Sequence, residues 1–351
     1  MTETVLSSLN DRLHAMMGAD DRVYLIGEDL LDPYGGAFKV AKGLSTAFPD
    51  RVWTTPISEA GFVGVAAGMA MRGLRPIVEI MFGDFLMLTA DQILNHITKY
   101  RWMYDDQIDV PLVIRAPMGG RRGYGPTHSQ SIEKHFLGMP GLIVVAPSPF
   151  HRPGELLEEA TRHDERPVLF VENKLMYARR LQLAEDGRVG DLFARQTDAS
   201  YPTTSLSYTD FDDADVTVVA YGGMAELAQQ ATEAALMQDE IYGELIVPSS
   251  LQPLDLDPIV DSLSRTGRLV VCEEGTATAG WGSHVISQVT TRHFDALKAS
   301  PRHVAAREFP IANAPTLEKA ILPQVDDIRD AIQSVASESA SSGLRLDLLR
   351  A

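Results

Sequence analysis

The chain has 351 residues, with 31 Lys and Arg against 48 Asp and Glu, a formal charge of −17 and a pI near 4.9. Such acidity argues against a nucleic-acid or anionic-membrane surface, because phosphate binding needs clustered Lys and Arg. A composition 45% hydrophobic and 23% charged argues against disorder, and the single cysteine, Cys272, excludes an internal disulfide or a zinc cluster of paired thiolates and fits a reducing cytosol.

The first residues carry no basic segment followed by an apolar core, so no signal peptide is expected. Val5–Met17 reads as an amphipathic helix ahead of a first strand, Val23–Ile26. Helix Glu59–Arg72, strand Ile77–Phe82, helix Asp84–Tyr104 and strands Pro111–Arg115 and Leu142–Ala146 follow, then helix Pro153–His163 and strand Val168–Glu172. The longest small-apolar stretch, Gly61 to Met71, is too short to span a bilayer. Apolar strands alternating with helices predict a parallel sheet covered on both faces. From Arg179 to Ala214 the periodicity fails, as in an interdomain connection. It resumes with strand Val216–Tyr221, helix Ala225–Gln238, strand Glu244–Val247, helix Asp257–Ser264, strand Leu269–Glu273 and helix Trp281–Phe294. The expectation is α/β architecture in two parallel-sheet-based domains, 1–178 and 215–337, joined by 179–214. The Ser/Ala-rich Ser334–Gly343 reads as a linker, and a tail, 338–351, ends in a candidate docking helix, Leu344–Ala351.

Dinucleotide binding finds little support. Gly280-Trp281-Gly282 is followed by Val285 where a third glycine or alanine belongs, and it lies several residues beyond its strand. Thr55-Pro56-Ile57-Ser58-Glu59 reads as a loop entering a helix, with Ser58 as N-cap. Glu59 either complements the helix dipole or, if desolvated at the mouth of a packed element, serves as a proton-transfer carboxyl. Gly61, Gly64, Ala67 and Gly68 form a small-residue face suited to a close-packed partner. The loop Gly119 to Gln130 puts four glycines around Arg121 and Arg122 after a parallel strand; His128 is a candidate acid/base and the arginines are candidate carboxylate or phosphate contacts. A plain surface loop is the alternative.

Taken in order, Gly27-Glu28-Asp29, Tyr34-Gly35-Gly36-Ala37-Phe38, Pro56-Ile57-Ser58-Glu59-Ala60-Gly61, Gly73-Leu74-Arg75-Pro76 with Glu79, Gly83-Asp84-Phe85, Asp91-Gln92-Ile93 and His128-Ser129-Gln130-Ser131 resemble the beta subunit of the thiamine-diphosphate-dependent 2-oxo acid dehydrogenases. Pro140-Gly141-Leu142, Leu251 to Asp255 and Thr266 to Val271 extend the resemblance, which covers roughly residues 3 to 330. It implies a pyrimidine-binding domain followed by a transketolase-type C-terminal domain. It implies that Glu59 supplies the proton for the cofactor's imino tautomer, that Phe85 stacks on the aminopyrimidine, that Ile57 and Met81 line the pocket, and that Glu28 lies near Glu59. His128 matches the histidine of the active-site funnel. The magnesium-diphosphate motif Gly-Asp-Gly is absent from the sequence, so an alpha subunit is expected to carry the magnesium end. Two alpha and two beta chains would form the assembly, with a lipoyl acyltransferase as a further partner. The loop Ala160 to Pro167 resembles the family's monovalent-cation loop with one extra residue, which counts against potassium. The implied reaction is decarboxylation of a 2-oxo acid with acyl transfer to lipoamide. The alternative is a two-component transketolase-like or acyloin-forming synthase that passes the carbanion unit to another acceptor.

Overall fold

Each strand expected from the sequence forms in the computed structural model, which describes residues 3–338. In chain order, β1 (Val23–Gly27), β2 (Val52–Thr54), β3 (Arg75–Glu79), β4 (Val113–Met118), β5 (Ile143–Val145) and β6 (Val168–Asn173) are all parallel, in the spatial order β5-β6-β4-β3-β1-β2. Successive side chains on a strand point to opposite faces, so each strand feeds two cores. Leu25, Ile77, Val113 and Phe170 join Leu9, Leu13, Met16 and Met17 of helix Val5–Ala19 on one side. Ile26, Val78, Ile114 and Leu169 join Phe62, Val63 and Ala66 of helix Glu59–Ala70 on the other. Full burial of each such side chain stabilises by roughly 1.5–3 kcal/mol. Gly154 sits against the carbonyl of Ser8, and a Cβ there would collide with it, which lets helix Pro153–Glu158 lie close on Val5–Ala19.

The segment 179–214 corrects the expectation of an irregular connection. It carries β7 (Arg188–Val189), β8 (Leu192–Gln196) and β9 (Thr203–Ser207), which pair antiparallel and extend a second sheet. The rest of that sheet is β10 (Val216–Ala220), β11 (Gly243–Pro248), β13 (Leu269–Thr276) and β14 (Arg302–Ala306), mutually parallel, in the order β14-β13-β10-β11-β9-β8-β7. Thr203, Thr204, Ser205 and Ser207 are buried polar residues in a strand, so the hydrophobic signal was missing although the ladder forms. The remaining strand, β12 (Ser250–Gln252), leaves the second unit and pairs antiparallel with β5 at the edge of the first sheet. The core around Ile26 and Val78 accordingly continues through Leu251 into Val219, Val271, Trp281 and Val285. The two units thus share this one of their apolar cores.

Two expected helices differ in form. Asp84–Tyr104 is a 3₁₀ turn, Gly83–Thr89, a wide π turn, Gln92–Ile97, and a short α-helix, Tyr100–Met103. Thr98 explains the wide turn: its amide donates to the Ile93 carbonyl five residues back at 3.1 Å, and its hydroxyl donates to the same oxygen at 2.9 Å. Pro153–His163 likewise widens over Glu159–His163. Ser334–Ser337, read as the start of a linker, are the last turn of helix Val325–Ser337, which buries Ile328, Ile332 and Val335. Residues 339–351, with the expected docking helix Leu344–Ala351, lie outside the described residues. Among the described residues no helix is long and apolar enough to cross a membrane.

Candidate active site

The C-terminal ends of β2, β1, β3 and β4 are neighbours in that order, and in a parallel sheet this edge is where ligands bind. Each end delivers candidate groups. β2 leads through Thr55–Ser58 into helix Glu59–Ala70, with Glu59 as its first residue. β1 ends at Gly27 and hands on to Glu28, β3 leads to Met81, Phe82 and Phe85, and β4 leads to the glycine-rich loop with His128.

Glu59 is only 4% exposed and Glu28 7%. The Glu28 carboxyl is held above the ordinary carboxylate range, first by burial and then by the negative charges of Glu59 and Asp29. Its Oε1 is buried with no hydrogen-bond partner in the chain. A buried orphan acceptor is costly and marks a place where a polar group from elsewhere fits. Ser58 occupies the N-cap position, but its side chain makes no capping hydrogen bond.

The aromatic side of the site centres on Phe82. The His128 ring stands edge-on to Phe82 at 4.8 Å and to Phe85 at 5.3 Å, and Phe38 and Tyr124 approach Phe82 at 5.5 and 5.9 Å. His128 Nδ1 pairs with the Thr127 hydroxyl at 3.0 Å. Met81 is half-buried beside this cluster. Ile57 is 84% exposed and projects outward from the loop that carries Glu59. On helix Glu59–Ala70, Gly61, Gly64 and Gly68 are exposed beside Val65, whereas Ala67 faces the core.

Arg121 is tied within the chain: its guanidinium donates to the Pro323 carbonyl at 2.6 Å and lies 3.6 Å from Glu274 of the second unit, while the residue also lines the cleft that Arg122 borders. Arg122 is exposed, with its guanidinium over the rings of Tyr124 (5.4 Å) and Phe38 (5.8 Å). It borders a cleft of about 820 Å³ shared with Phe38, Lys39 and Lys174.

Two features escaped the sequence. Lys174 is buried, donates to the His128 carbonyl, and sits 5.2 Å over the Phe82 ring; desolvation lowers its pKa to about 8. Beneath the site, Arg115 donates to Glu79 at 2.6 Å and to both oxygens of Glu172 at 2.7 and 2.8 Å, and Tyr177 donates to Glu172. Burial raises the Glu79 carboxyl, while the Arg115 charge opposes that rise. Gly36, at φ +81°, packs on this floor: a Cβ there would stand 2.5 Å from Glu79 Oε1. Elsewhere, the N-terminal amides of helix Trp281–Arg292 are taken by Glu273, at 3.0 Å from Trp281 and 2.9 Å from Gly282, so the weak dinucleotide fingerprint is occupied by the chain's own carboxylate.

For thiamine diphosphate, these groups fit one end. Two buried carboxyls, one with an unpartnered oxygen, and an aromatic cluster at the ends of neighbouring strands suit a polar heteroaromatic ring. Among the described residues no three His, Cys, Asp or Glu side chains come together as a metal ligand set.

Comparison with known proteins finds two family matches: transketolase, pyrimidine binding domain, over residues 4–179, and transketolase, C-terminal domain, over residues 208–328. The mitochondrial pyruvate dehydrogenase E1 component subunit beta-2 of Oryza sativa subsp. japonica is 38% identical over 327 residues, 93% of this chain and 84% of that protein. The pyruvate dehydrogenase E1 component subunit beta of Rickettsia bellii is 36% identical over 336 residues, 95% of this chain and 99% of that protein. Among solved structures, a split gene transketolase described as an inactive beta4 tetramer is similar with a TM-score of 0.71 at 20% identity, covering 94% of this chain and 97% of that one. At that identity the likeness is one of fold.

Proposed function

The chain belongs to the beta subunits of the thiamine-diphosphate-dependent 2-oxo acid dehydrogenases, and from that premise we propose that it binds the cofactor's pyrimidine end with Glu28, Ile57, Glu59, Met81 and Phe85 and works only beside an alpha subunit. The observation that carries this reading is the buried Glu28–Glu59 pair with its unpartnered oxygen. When bound, thiamine diphosphate supplies the nucleophilic carbon and the electron sink for decarboxylation. Glu59 would hold a proton at the pyrimidine ring nitrogen, a task that needs a carboxyl shielded from water. Phe85 and Met81 would flank the ring. Ile57 becomes a pocket wall only when a partner covers it. His128, at the mouth of the aromatic cluster, exchanges a proton with substrate or acyl acceptor, and Arg122 is the arginine of the pair left to meet a substrate carboxylate. The synthase alternative has a likeness of fold behind it, whereas the dehydrogenase reading has relatives of 36–38% identity over more than nine-tenths of the chain.

The functional test assays the chain together with its alpha subunit against a panel of 2-oxo acids, with and without lipoamide. Decarboxylation coupled to lipoamide acylation is expected. Ketol transfer without lipoamide acylation would overturn the assignment in favour of the synthase.

His128→Ala is expected to slow acyl transfer to lipoamide at least as much as decarboxylation followed with an artificial oxidant. The two half-reactions are measured separately, and wild-type rates in both would refute the role.

The exposed apolar surface around the site supports association with a partner chain. Ile57, Val65, Met87 and Leu88 are large, exposed and close to the Glu59 helix, and Trp102 is 86% exposed; such patches mark interfaces. With magnesium and the diphosphate placed on the alpha subunit, a chain of charge −17 has little to hold a diphosphate alone. The isolated chain is expected to bind thiamine diphosphate and magnesium feebly and to be inactive. Mixing with the alpha subunit yields two alpha and two beta chains, the closed two-fold arrangement common among oligomers. Calorimetry on the chain alone checks this; tight stoichiometric binding there contradicts it.

A further inference from the structure

We propose that Glu318, with Glu274 beside it, is a positioning residue for His128, so that the second unit sets the geometry of the acceptor step. The inference rests on the reading of His128 given above.

The loop from Gly119 to Gln130 leaves β4 with backbone amides that need acceptors. Gly119 bonds across the loop to the Gln130 carbonyl at 3.2 Å. The next amides turn to the second unit. Gly120 donates to Glu274 Oε1 at 2.7 Å, Arg121 to Glu318 Oε1 at 2.8 Å, and Gly123 to Glu318 Oε2 at 3.1 Å. Glu274 lies near the end of β13 and Glu318 on helix Pro315–Ile321. Both are buried, 7% and 5% exposed, and the Arg121 guanidinium lies 3.6 Å from Glu274. Ser131 closes the far end by donating to Glu274 at 3.2 Å.

Hydrogen bonds to an ionised acceptor are shorter and about twice as strong as neutral ones, so these amides are fixed more firmly than water would fix them. The glycines make the approach feasible: a Cβ on Gly120 would stand 2.6 Å from Leu322 Cδ1 and 3.3 Å from Glu318 Oε1. Five residues after Gly123 the chain reaches His128, whose ring is held between Phe82 and Phe85 and whose carbonyl accepts from Lys174. The ring thus sits in the first unit's aromatic slot while the strand-side arm of its loop is clamped by the second. Releasing that arm frees His128 to move, and a misplacement of about 1 Å costs on the order of a hundredfold in rate.

The test compares Glu318→Ala, Glu318→Asp and Glu318→Gln, each as the full chain and as the pair with the alpha subunit. Hydrogen exchange of segment 119–131 reads the clamp without reference to activity. Glu318→Ala is expected to speed that exchange by at least about tenfold and to slow acyl transfer to lipoamide by roughly 10–100-fold, with decarboxylation to an artificial oxidant within about threefold of wild type. Glu318→Asp, which keeps the charge one methylene short, gives the same pattern in smaller measure and serves if the alanine variant does not fold. Gln keeps one accepting oxygen, which both amides reach at Oε1 (2.8 and 3.4 Å), but loses the charge and the second oxygen, so it restores part of both readouts. Unchanged exchange, faster exchange with an unchanged acceptor step, or equal loss in both half-reactions without rescue by Gln overturns the proposal. A wild-type pair without 2-oxo acid decarboxylation would instead refute the functional reading, and the exchange arm alone would then decide whether Glu318 holds the loop.

Discussion

Glu59→Gln is expected to lower turnover of the assembled enzyme by roughly a hundred- to ten-thousand-fold, the range for loss of a general acid/base, while changing cofactor affinity far less. Gln keeps the size of the side chain and its place at the start of helix Glu59–Ala70, but its amide neither gives up nor takes a proton near neutral pH. The neighbouring Glu28 provides an internal control. Its upward shift has burial as first cause and the Glu59 charge as second, so removing that charge moves Glu28 back toward the ordinary carboxylate range without abolishing the shift. The measurement is turnover of the reconstituted pair at saturating cofactor, with affinity determined by calorimetry. Near-normal turnover would remove Glu59 from the mechanism.

Arg115→Met should cost about 3–5 kcal/mol of stability, the price of breaking a buried ion pair from one side. Arg115 is 1% exposed and binds Glu79 and Glu172 together. Met fills much of its volume but leaves the two carboxylates buried without a counter-charge. The loss should depend on pH in a defined direction. Without Arg115, which opposes the burial-driven rise of Glu79, that carboxyl keeps its proton to higher pH in the folded chain than in the unfolded one. The folded state then binds more protons, so lowering the pH favours it. Denaturant unfolding should find the variant least destabilised near pH 5 and increasingly so as pH rises toward 8. A loss below about 1 kcal/mol at neutral pH, or the opposite pH trend, would contradict this account. The Gly36 loop rests on Glu79, so activity should fall with stability.

The sequence by itself determined the α/β class, the principal strands and the family, and it nominated the chemical groups. Runs such as Val23–Ile26 and Val168–Glu172 are apolar on both faces, which only a covered parallel strand satisfies, and Glu59, Phe85 and His128 stand in recognisable ordered motifs. Where periodicity was weak, the sequence misled. Thr203–Ser207 is a strand built from hydroxyl residues, and its signal lies in the ladder with β11 rather than in hydrophobicity. The single helix expected over Asp84–Tyr104 is divided by a wide turn that Thr98 satisfies with its own hydroxyl. Only the tertiary structure decided which charged residues are captured by partners within the chain. Arg121 and Arg122 are neighbours of the same type, yet one is a strut to Pro323 and Glu274 and the other stands free over two aromatic rings. Nothing local separates them, because the groups that capture Arg121 lie some 150 to 200 residues away in sequence. The same holds for Lys174, Glu274 and Glu318. Each reads locally as an ordinary charged residue, and each becomes informative only when folding removes it from water and obliges it to find a partner.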